Sequence, residues 1–499
     1  LKIFPMNAKR NKSKNSLSPE LLAVISGIFW AAAFPPLPMG FLAFIMLAIL
    51  WFALQQVKSG FRAAKIGYLW GFTASLGTLW WIVIPTIPGM VILILFLPLF
   101  SALYAWMHHR IARKRPVLAV ILSPILLLAI EFLRSWGKLG FPWLNLSYTM
   151  TDYCVLIQFA DIVGNFGVSF WVAAINSCIY FILYRPLSKS FWIAVVLLAL
   201  LFGGSFIYGK VKIQQNIEGE YLKIALLQGN VDPYKKWTKE FKRRNAKLYG
   251  DMIHSVEGEV NLIIMPETAT ACYHRVKHSM FNPLVDAVED VRIPTLMGSI
   301  DFEEDDRKRY YNCAILVMPD RSYEQFYAKF QLVPFSEYIP LQDKFTSLRK
   351  LNFGGSHFAS GTDFTIFEFD DYKFSVTICY EAVFGWLGRI FHNQGAHFFV
   401  NITNDGWFGK TSGPYQHAMF NVMRAIENRV WIARCANTGI SMFIDPFGRI
   451  NRQTRLFERC ILIGEIYTTD IVTLYNKFGD VFGWGSFILA PFLVWFLRK

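Results

Sequence analysis

The sequence predicts a polytopic α-helical membrane domain, then an α/β layered domain, then one last membrane helix. Three observations carry this. Only 17% of the 499 residues are charged and 54% are hydrophobic, against the roughly 25% charged expected of a soluble domain. The apolar residues gather into stretches long enough to cross a bilayer, and from Tyr221 the texture changes to short β-rich runs alternating with amphipathic segments. Forty-six Phe and sixteen Trp exclude a disordered chain.

Residues 1–19 form a basic tail carrying Lys2, Lys9, Arg10, Lys12 and Lys14. Residues 20–208 hold seven expected spans, near Glu20–Pro38, Phe41–Val57, Ile66–Ile84, Met90–Met107, Val117–Leu133, Phe166–Tyr184 and Phe191–Tyr208, and an eighth covers residues 481–497. The segment from Lys9 to Ala33 reads as a retained span, because Phe34-Pro35-Pro36 is a poor peptidase site after Ala31-Ala32-Ala33. Positive charge falls on alternate connections: the tail, Lys58/Arg62/Lys65, Arg110/Arg113/Lys114/Arg115, Arg185/Lys189 and Arg498/Lys499. The positive-inside rule therefore puts both ends in the cytoplasm, and the region after the seventh span outside the inner membrane. Glu131 and Arg134 lie near a span end at i,i+3, which fits a local interfacial ion pair or contact with a polar lipid headgroup.

The formal charge of +14 does not point to nucleic acid. Residues 1–213 hold 18 basic and 4 acidic residues, and the remainder is balanced at 32 of each, so no basic face is available in the outer domain. Seven cysteines, without a C-x-x-C pair or a Cys/His cluster at zinc spacing, leave at least one thiol free and give no metal site. Gly406-Trp-Phe-Gly409-Lys410-Thr411 is not a phosphate loop, since Asn404 stands where its first Gly is required.

In the outer domain, residues 220–470, strands are expected at Lys223–Leu227, Leu262–Met265, Thr295–Gly298, Ala314–Met318, Phe374–Ile378, Phe398–Asn401, Trp431–Arg434, Ser441–Ile444 and Ile461–Ile466. Helices are expected at Lys239–Ser255, Pro283–Val288 and Gln416–Asn428. In the last of these, His417, Phe420, Arg424 and Asn428 fall on polar and apolar faces at helical spacing.

Three strand ends deliver reactive side chains: Glu267 after Ile263-Ile264-Met265-Pro266, Lys329 after Phe326-Tyr327-Ala328, and Cys379 after Ser375-Val376-Thr377-Ile378. A base, a cation and a thiol are what acyl transfer through a thioester requires. The carboxylate takes the thiol proton and the ammonium holds the tetrahedral oxyanion. Trp407 and Phe408 fit an apolar rim beside that site, and His417 fits a core hydrogen bonder because Glu267 already supplies a base.

The words Pro-Glu267-Thr, Tyr-x-Lys329-x-x-Leu-Val-Pro-Phe-x-Glu337 and Ile-Cys379-Tyr380-Glu381 resemble the nitrilase superfamily. Fused behind seven spans, they resemble the apolipoprotein N-acyltransferase family. Leu226-Leu-Gln-Gly-Asn230 with Trp237, Asn401-Ile-Thr-Asn-Asp-Gly-Trp-Phe-Gly409, Arg424-Ala-Ile-Glu427 and Gly140-Phe-Pro-Trp143 agree, so the likeness spans nearly the whole chain.

The resemblance implies an αββα sandwich with a Glu267-Lys329-Cys379 triad and supporting active-site residues Trp237, Glu337, Tyr380 and Glu381. It implies a phospholipid acyl donor, a diacylglyceryl apolipoprotein acceptor, no cofactor, and a monomer working among membrane lipids without nucleic acid. A membrane-tethered amidase, in which water resolves the thioester, is the alternative. Glu337 and Glu381 would keep Lys329 charged and raise the proton affinity of Glu267, and Glu381 is equally suited to a structural hydrogen bond. Ser336 stands where the family has Gly, which would be strained if that position needs a positive φ.

Overall fold

The computed structural model describes residues 17–184, 186–235, 238–256, 260–270, 272–273, 278–303, 309–322, 325–339 and 358–497. Trp237, the basic tail before Leu17, Arg185 and the closing Arg498/Lys499 lie outside the described residues.

The first part is helical: α1 (Pro19–Ala32), α2 (Met46–Leu54), α3 (Gly60–Leu79), α4 (Ile87–Phe96), α5 (Pro98–Ala112), α6 (Pro116–Ser135), α7 (Ala160–Tyr184) and α8 (Lys189–Ile213). Each expected apolar stretch is helical, but only five helical segments among the described residues are long and apolar enough to cross a membrane: 60–83, 87–112, 116–135, 160–184 and 189–213. The other three are shorter, and local chemistry explains why. α1 stops before Pro35-Pro36, where no helix can continue, and α2 is preceded by a 3-10 turn over Gly40–Phe44. The closing helix α14 (Val481–Leu497), seventeen residues long, follows Gly479 at φ +69.

α7 bends at Gly164, whose φ of +65 is open to glycine and costly for other residues. The ring of Tyr475 fills the space a Cβ would need, 2.5 Å away. Glu131 and Arg134 depart from the expectation for them, since both are buried. Glu131 Oε1 accepts from the Leu146 amide at 2.8 Å, and Arg134 Nη2 donates to Asn145 Oδ1 at 2.8 Å, so they brace the loop after α6 and meet neither water nor headgroups.

The second part contains β1 (Tyr221–Gln228), α9 (Lys239–His254), β2 (Leu262–Ile264), α10 (His278–Val291), β3 (Thr295–Glu303), β4 (Arg309–Val317), β5 (Phe326–Ala328), β6 (Ile366–Phe369), β7 (Tyr372–Ile378), α11 (Gly385–Asn393), β8 (Phe398–Thr403), α12 (Gly413–Asn428), β9 (Ile432–Ala436), β10 (Met442–Ile444), β11 (Ile450–Gln453), β12 (Cys460–Tyr467) and α13 (Leu474–Phe478). They build two six-stranded sheets, ordered β12-β1-β2-β3-β4-β5 and β11-β10-β9-β8-β7-β6. Within each sheet three strands run parallel, β1-β2-β3 and β7-β8-β9, and the flanking pairs are antiparallel.

Period-2 alternation decides which face goes where. Ile224, Leu226, Leu262, Ile264 and Leu296 join one core with Val376, Ile378, Val400 and Ile402 of the other sheet. The intervening Ala225, Leu227, Ile263 and Met297 turn outward onto Ile253, Leu284 and Val288 of α9 and α10. With α11 and α12 behind the second sheet, the result is an αββα sandwich. The polar face of α12 is not solvated. Gln416, His417, Asn421, Arg424, Glu427 and Asn428 are all buried, because the helix is packed between the second sheet and the membrane helices.

Candidate active site

The parallel strands of both sheets end at one place, and the reactive side chains project there. Cys379 opens a 3-10 turn over Cys379–Val383 directly after β7. Its φ of +54 is a left-handed conformation that a non-glycine residue adopts at a cost of about 1–3 kcal/mol. Such a turn lifts the thiol off the end of the strand toward the opposite sheet. Glu267 follows β2 by way of Met265-Pro266, and Lys329 follows β5.

Lys329 is 1% exposed, and its Nζ lies 2.9 Å from Glu337 Oε1 and 3.9 Å from Glu267 Oε1. Burial works against its charge, but Glu337, Cys379 and Glu267 more than reverse that, so its proton affinity is raised and it stays an ammonium. Glu267 is fixed from both sides: Oε1 accepts from Asn312 Nδ2 at 2.7 Å and Oε2 from the Asn404 amide at 2.9 Å. Asn312 also donates to Glu337 Oε1 at 3.1 Å, and the Val333 amide donates to Glu337 Oε2 at 2.8 Å. Cys379 is half-buried. Burial and the neighbouring Glu267 push its thiol up, against the pull of Lys329.

Glu381 is wholly buried. Its Oε1 accepts from Tyr327 Oη at 2.9 Å, the Phe330 amide at 2.7 Å and the Gln331 amide at 3.0 Å, and its Oε2 from the Ile378 amide at 2.7 Å. Burial pushes its carboxyl up to about 7 despite these donors. These contacts tie the Lys329 segment to the strand that carries Cys379, a positioning arrangement with no contact to a reacting atom. Tyr380 donates to the Gly140 carbonyl at 3.0 Å, in the loop of the membrane part. Ser336 escapes the expected strain because the positive φ falls one residue earlier, on Phe335 at +64.

Trp407 and Phe408 occupy a half-buried 3-10 turn over Asp405–Phe408. Trp407 packs edge-on against Tyr234 at 4.9 Å, and Phe408 against Trp81 of the membrane part at 4.6 Å. Their turn is anchored by Asp405, which pairs with His417 Nδ1 at 2.8 Å and Arg434 Nη2 at 2.8 Å. His417 is thus a buried hydrogen bonder, as its sequence context suggests. Sequence reasoning missed Asn312, Tyr327 and the Asp405–Arg434 pair. The available signal was a polar residue within an otherwise apolar strand, as in Asn312-Cys-Ala-Ile-Leu-Val317.

Comparison with known proteins agrees with this arrangement. Residues 26–178 match the apolipoprotein N-acyltransferase N-terminal domain, and residues 223–474 match the carbon-nitrogen hydrolase domain. The apolipoprotein N-acyltransferase of Geobacter metallireducens is 33% identical over 482 residues, covering 93% of this chain and 92% of that protein. Those of Chlorobaculum tepidum and Pasteurella multocida are 27% and 29% identical, covering 93% and 96% of this chain and 93% and 95% of the respective relatives.

Proposed function

The chain belongs to the apolipoprotein N-acyltransferase family, and on that premise we propose that it moves an acyl chain from a membrane phospholipid to the α-amine of an N-terminal S-diacylglyceryl-cysteine through a thioester on Cys379. The observation that carries this reading is the convergence of Glu267, Lys329 and Cys379 at the facing ends of two sheets, beside aromatic residues of the membrane part.

In the first half-reaction Glu267 takes the Cys379 proton as the sulfur attacks the ester carbonyl. Lys329 stabilises the oxyanion, and the departing lysophospholipid oxygen recovers the proton from Glu267. In the second, the α-amine attacks the thioester, Glu267 accepts its proton, and an amide forms as Cys379 leaves and is reprotonated. An α-amine near pKa 7.7–8.0 is partly neutral at the membrane surface, so this base suffices. Trp407 and Phe408, by position, line the approach, and Trp237 is a supporting active-site residue by the family likeness. Glu337 holds Lys329, and Tyr380 and Glu381 hold the nucleophile's turn. The reading includes a periplasmic location for this chemistry, supported by the alternation of basic connections, and a 220–470 region that acts as a monomer's catalytic domain without metal or cofactor.

The experiment uses the full chain with labelled phospholipid. A covalent acyl adduct on Cys379 is expected by intact-protein mass spectrometry, discharged to an amide by a diacylglyceryl-cysteinyl peptide but not by the same peptide blocked at its α-amine. Cys379→Ala abolishes both steps, and Cys435→Ala neither. Hydrolysis of the adduct within one turnover, unaffected by the peptide, would replace this reading with the membrane-tethered amidase.

A further inference from the structure

A second cleft, of about 540 Å³, opens where the end of α8 meets the start of α7 and the segment before α13. It shares no lining residue with the site around Cys379. Its walls combine Asp161, Lys212 and Arg429 with Ile162, Phe447 and the Ile471–Leu474 segment. α8 is a strongly apolar 25-residue helix in which only Ala194, Ser205 and Gly209 are buried within the protein. It therefore faces lipid along most of its length, and its last turn, with Lys210 and Lys212, marks the level at which hydrocarbon gives way to headgroups.

The charges inside the cleft do not cancel. Arg429 reaches Asp161 Oδ2 through Nη2 at 2.8 Å and Nε at 3.1 Å, and Tyr208 Oη donates to the same carboxylate at 2.8 Å and 3.0 Å. The charge of Asp161 is thus already paired by Arg429. Arg429 is equally committed, its remaining donors going to Gln158 and the Pro446 carbonyl. Lys212 makes a longer ion pair with Asp161 at 3.6 Å and lies 5.6 Å over the Tyr208 ring, with 28% of its side chain exposed. Its ammonium is the surplus charge at the mouth. Asp470, which adjoins the Ile471–Leu474 wall, lies 3.6 Å from His397 Nε2. Beside Lys212 the surface is apolar and open: Val211 and Ile207 on α8, and Ile471, Val472 and Leu474 across the cleft, are all more than 40% exposed.

We propose that this cleft binds a glycerophospholipid of the leaflet facing the catalytic domain, with its phosphate on Lys212 and its chains running down the lipid-facing side of α8. A cation at headgroup level above a continuous apolar wall matches a phosphodiester above two acyl chains. The bound lipid is distinct from the acyl donor. It fills the wedge between α8 and the Ile471–Leu474 segment, where the membrane part and the sandwich meet.

The test is photolabelling of the full chain in detergent with a phosphatidylglycerol probe carrying a diazirine near its headgroup, and with a diacylglycerol probe of the same chains. Label is expected on peptides covering residues 207–217 and 471–474, stronger for the phosphatidylglycerol probe. Lys212→Gln should reduce it about fivefold, the worth of one basic residue at a membrane surface. Val472→Trp, which fills the cleft and keeps Lys212, should reduce it as well. Acyl transfer is read in parallel and should persist in both variants, so the two assignments fail separately. Equal labelling by the diacylglycerol probe, unchanged labelling in both variants, or no label on these peptides would overturn the site.

Discussion

Asn312 is the most informative single position to change. It is 2% exposed, and its one amide nitrogen donates to Glu267 Oε1 at 2.7 Å and Glu337 Oε1 at 3.1 Å. Asn312→Leu keeps the branched shape and heavy-atom count of the side chain and deletes both N–H donors. Glu267 then keeps only the Asn404 amide, at 2.9 Å, as a hydrogen-bond donor, with Lys329 at 3.9 Å. A hydrogen bond to a charged group contributes about 1.5–3 kcal/mol, and if the loss falls on the transition state the acylation rate drops roughly 10- to 150-fold at 1.36 kcal/mol per decade. Glu337 keeps both Lys329 and the Val333 amide, so the cluster should stay assembled. Asn312→Asp, the same shape with a third carboxylate, should be slower than Asn312→Leu, because like charge is added where a donor was. The assay is the time course of the Cys379 adduct by intact-protein mass spectrometry, with thermal unfolding as the folding control. A folded Asn312→Leu protein acylating within twofold of the parent would refute the idea that Asn312 holds the base.

Three further outcomes are expected. Because Lys329 has a raised proton affinity, its pairing stabilises the fold fully below the ordinary lysine range and is lost only above it. Glu337→Gln leaves burial opposed by less charge, so the variant should lose melting temperature between pH 8 and 10 while the parent does not, and parallel curves would contradict this. Glu381, pushed up to about 7, binds a proton more tightly folded than unfolded, so it makes stability fall as pH rises from about 4.5 to 7. Glu381→Gln should flatten that slope in a melting series while losing stability overall, since its amide would face the Ile378 donor. Gly164→Ala must place a Cβ 2.5 Å from the Tyr475 ring at a φ of +65, and should cost at least about 1–3 kcal/mol in chemical denaturation; no loss would mean the α7 bend is not fixed there.

The residues that sequence reasoning found and those it missed differ in a physical way. Nine strands were legible because each buries an alternating or continuous apolar run. Ile450–Gln453 was not, because Asn451, Arg452 and Gln453 are exposed at a sheet edge. Helix Gly385–Asn393 was hidden by its glycines. Gly385 is there because Arg424 and Tyr475 crowd the place of a side chain at 2.9 Å, a tertiary reason no local pattern reveals. Glu267, Lys329 and Cys379 were legible from chemistry at strand ends. Asn312 was silent because one polar letter in a strand does not say which two charges it meets. The polar letters of α12 gave the helix but not its place, since the helix lies between a sheet and a membrane bundle with both faces buried.

That burial shows why the membrane part is more than an anchor. Tyr148 Oη donates to the Val383 carbonyl at 2.6 Å, and Arg424 Nη1 donates to the same oxygen at 3.2 Å, so the turn begun by Cys379 is held at its far end by a membrane-domain side chain. At its near end Tyr380 reaches the Gly140 carbonyl. On the Lys329 side, Gln331 Nε2 and Tyr338 Oη both donate to the Lys138 carbonyl, at 3.2 Å and 2.8 Å. The loop receiving these bonds is itself fixed from below by Glu131 and Arg134. The left-handed conformation of Cys379 costs free energy, and a strained turn persists only when its surroundings over-determine it. Here part of that determination comes from the chain that lies in the bilayer. The turn that carries Cys379 is therefore shaped by the same loop of the membrane part, and under the function proposed above a lipid-derived ester and a membrane-anchored amine would reach a thiol whose position that loop has already set.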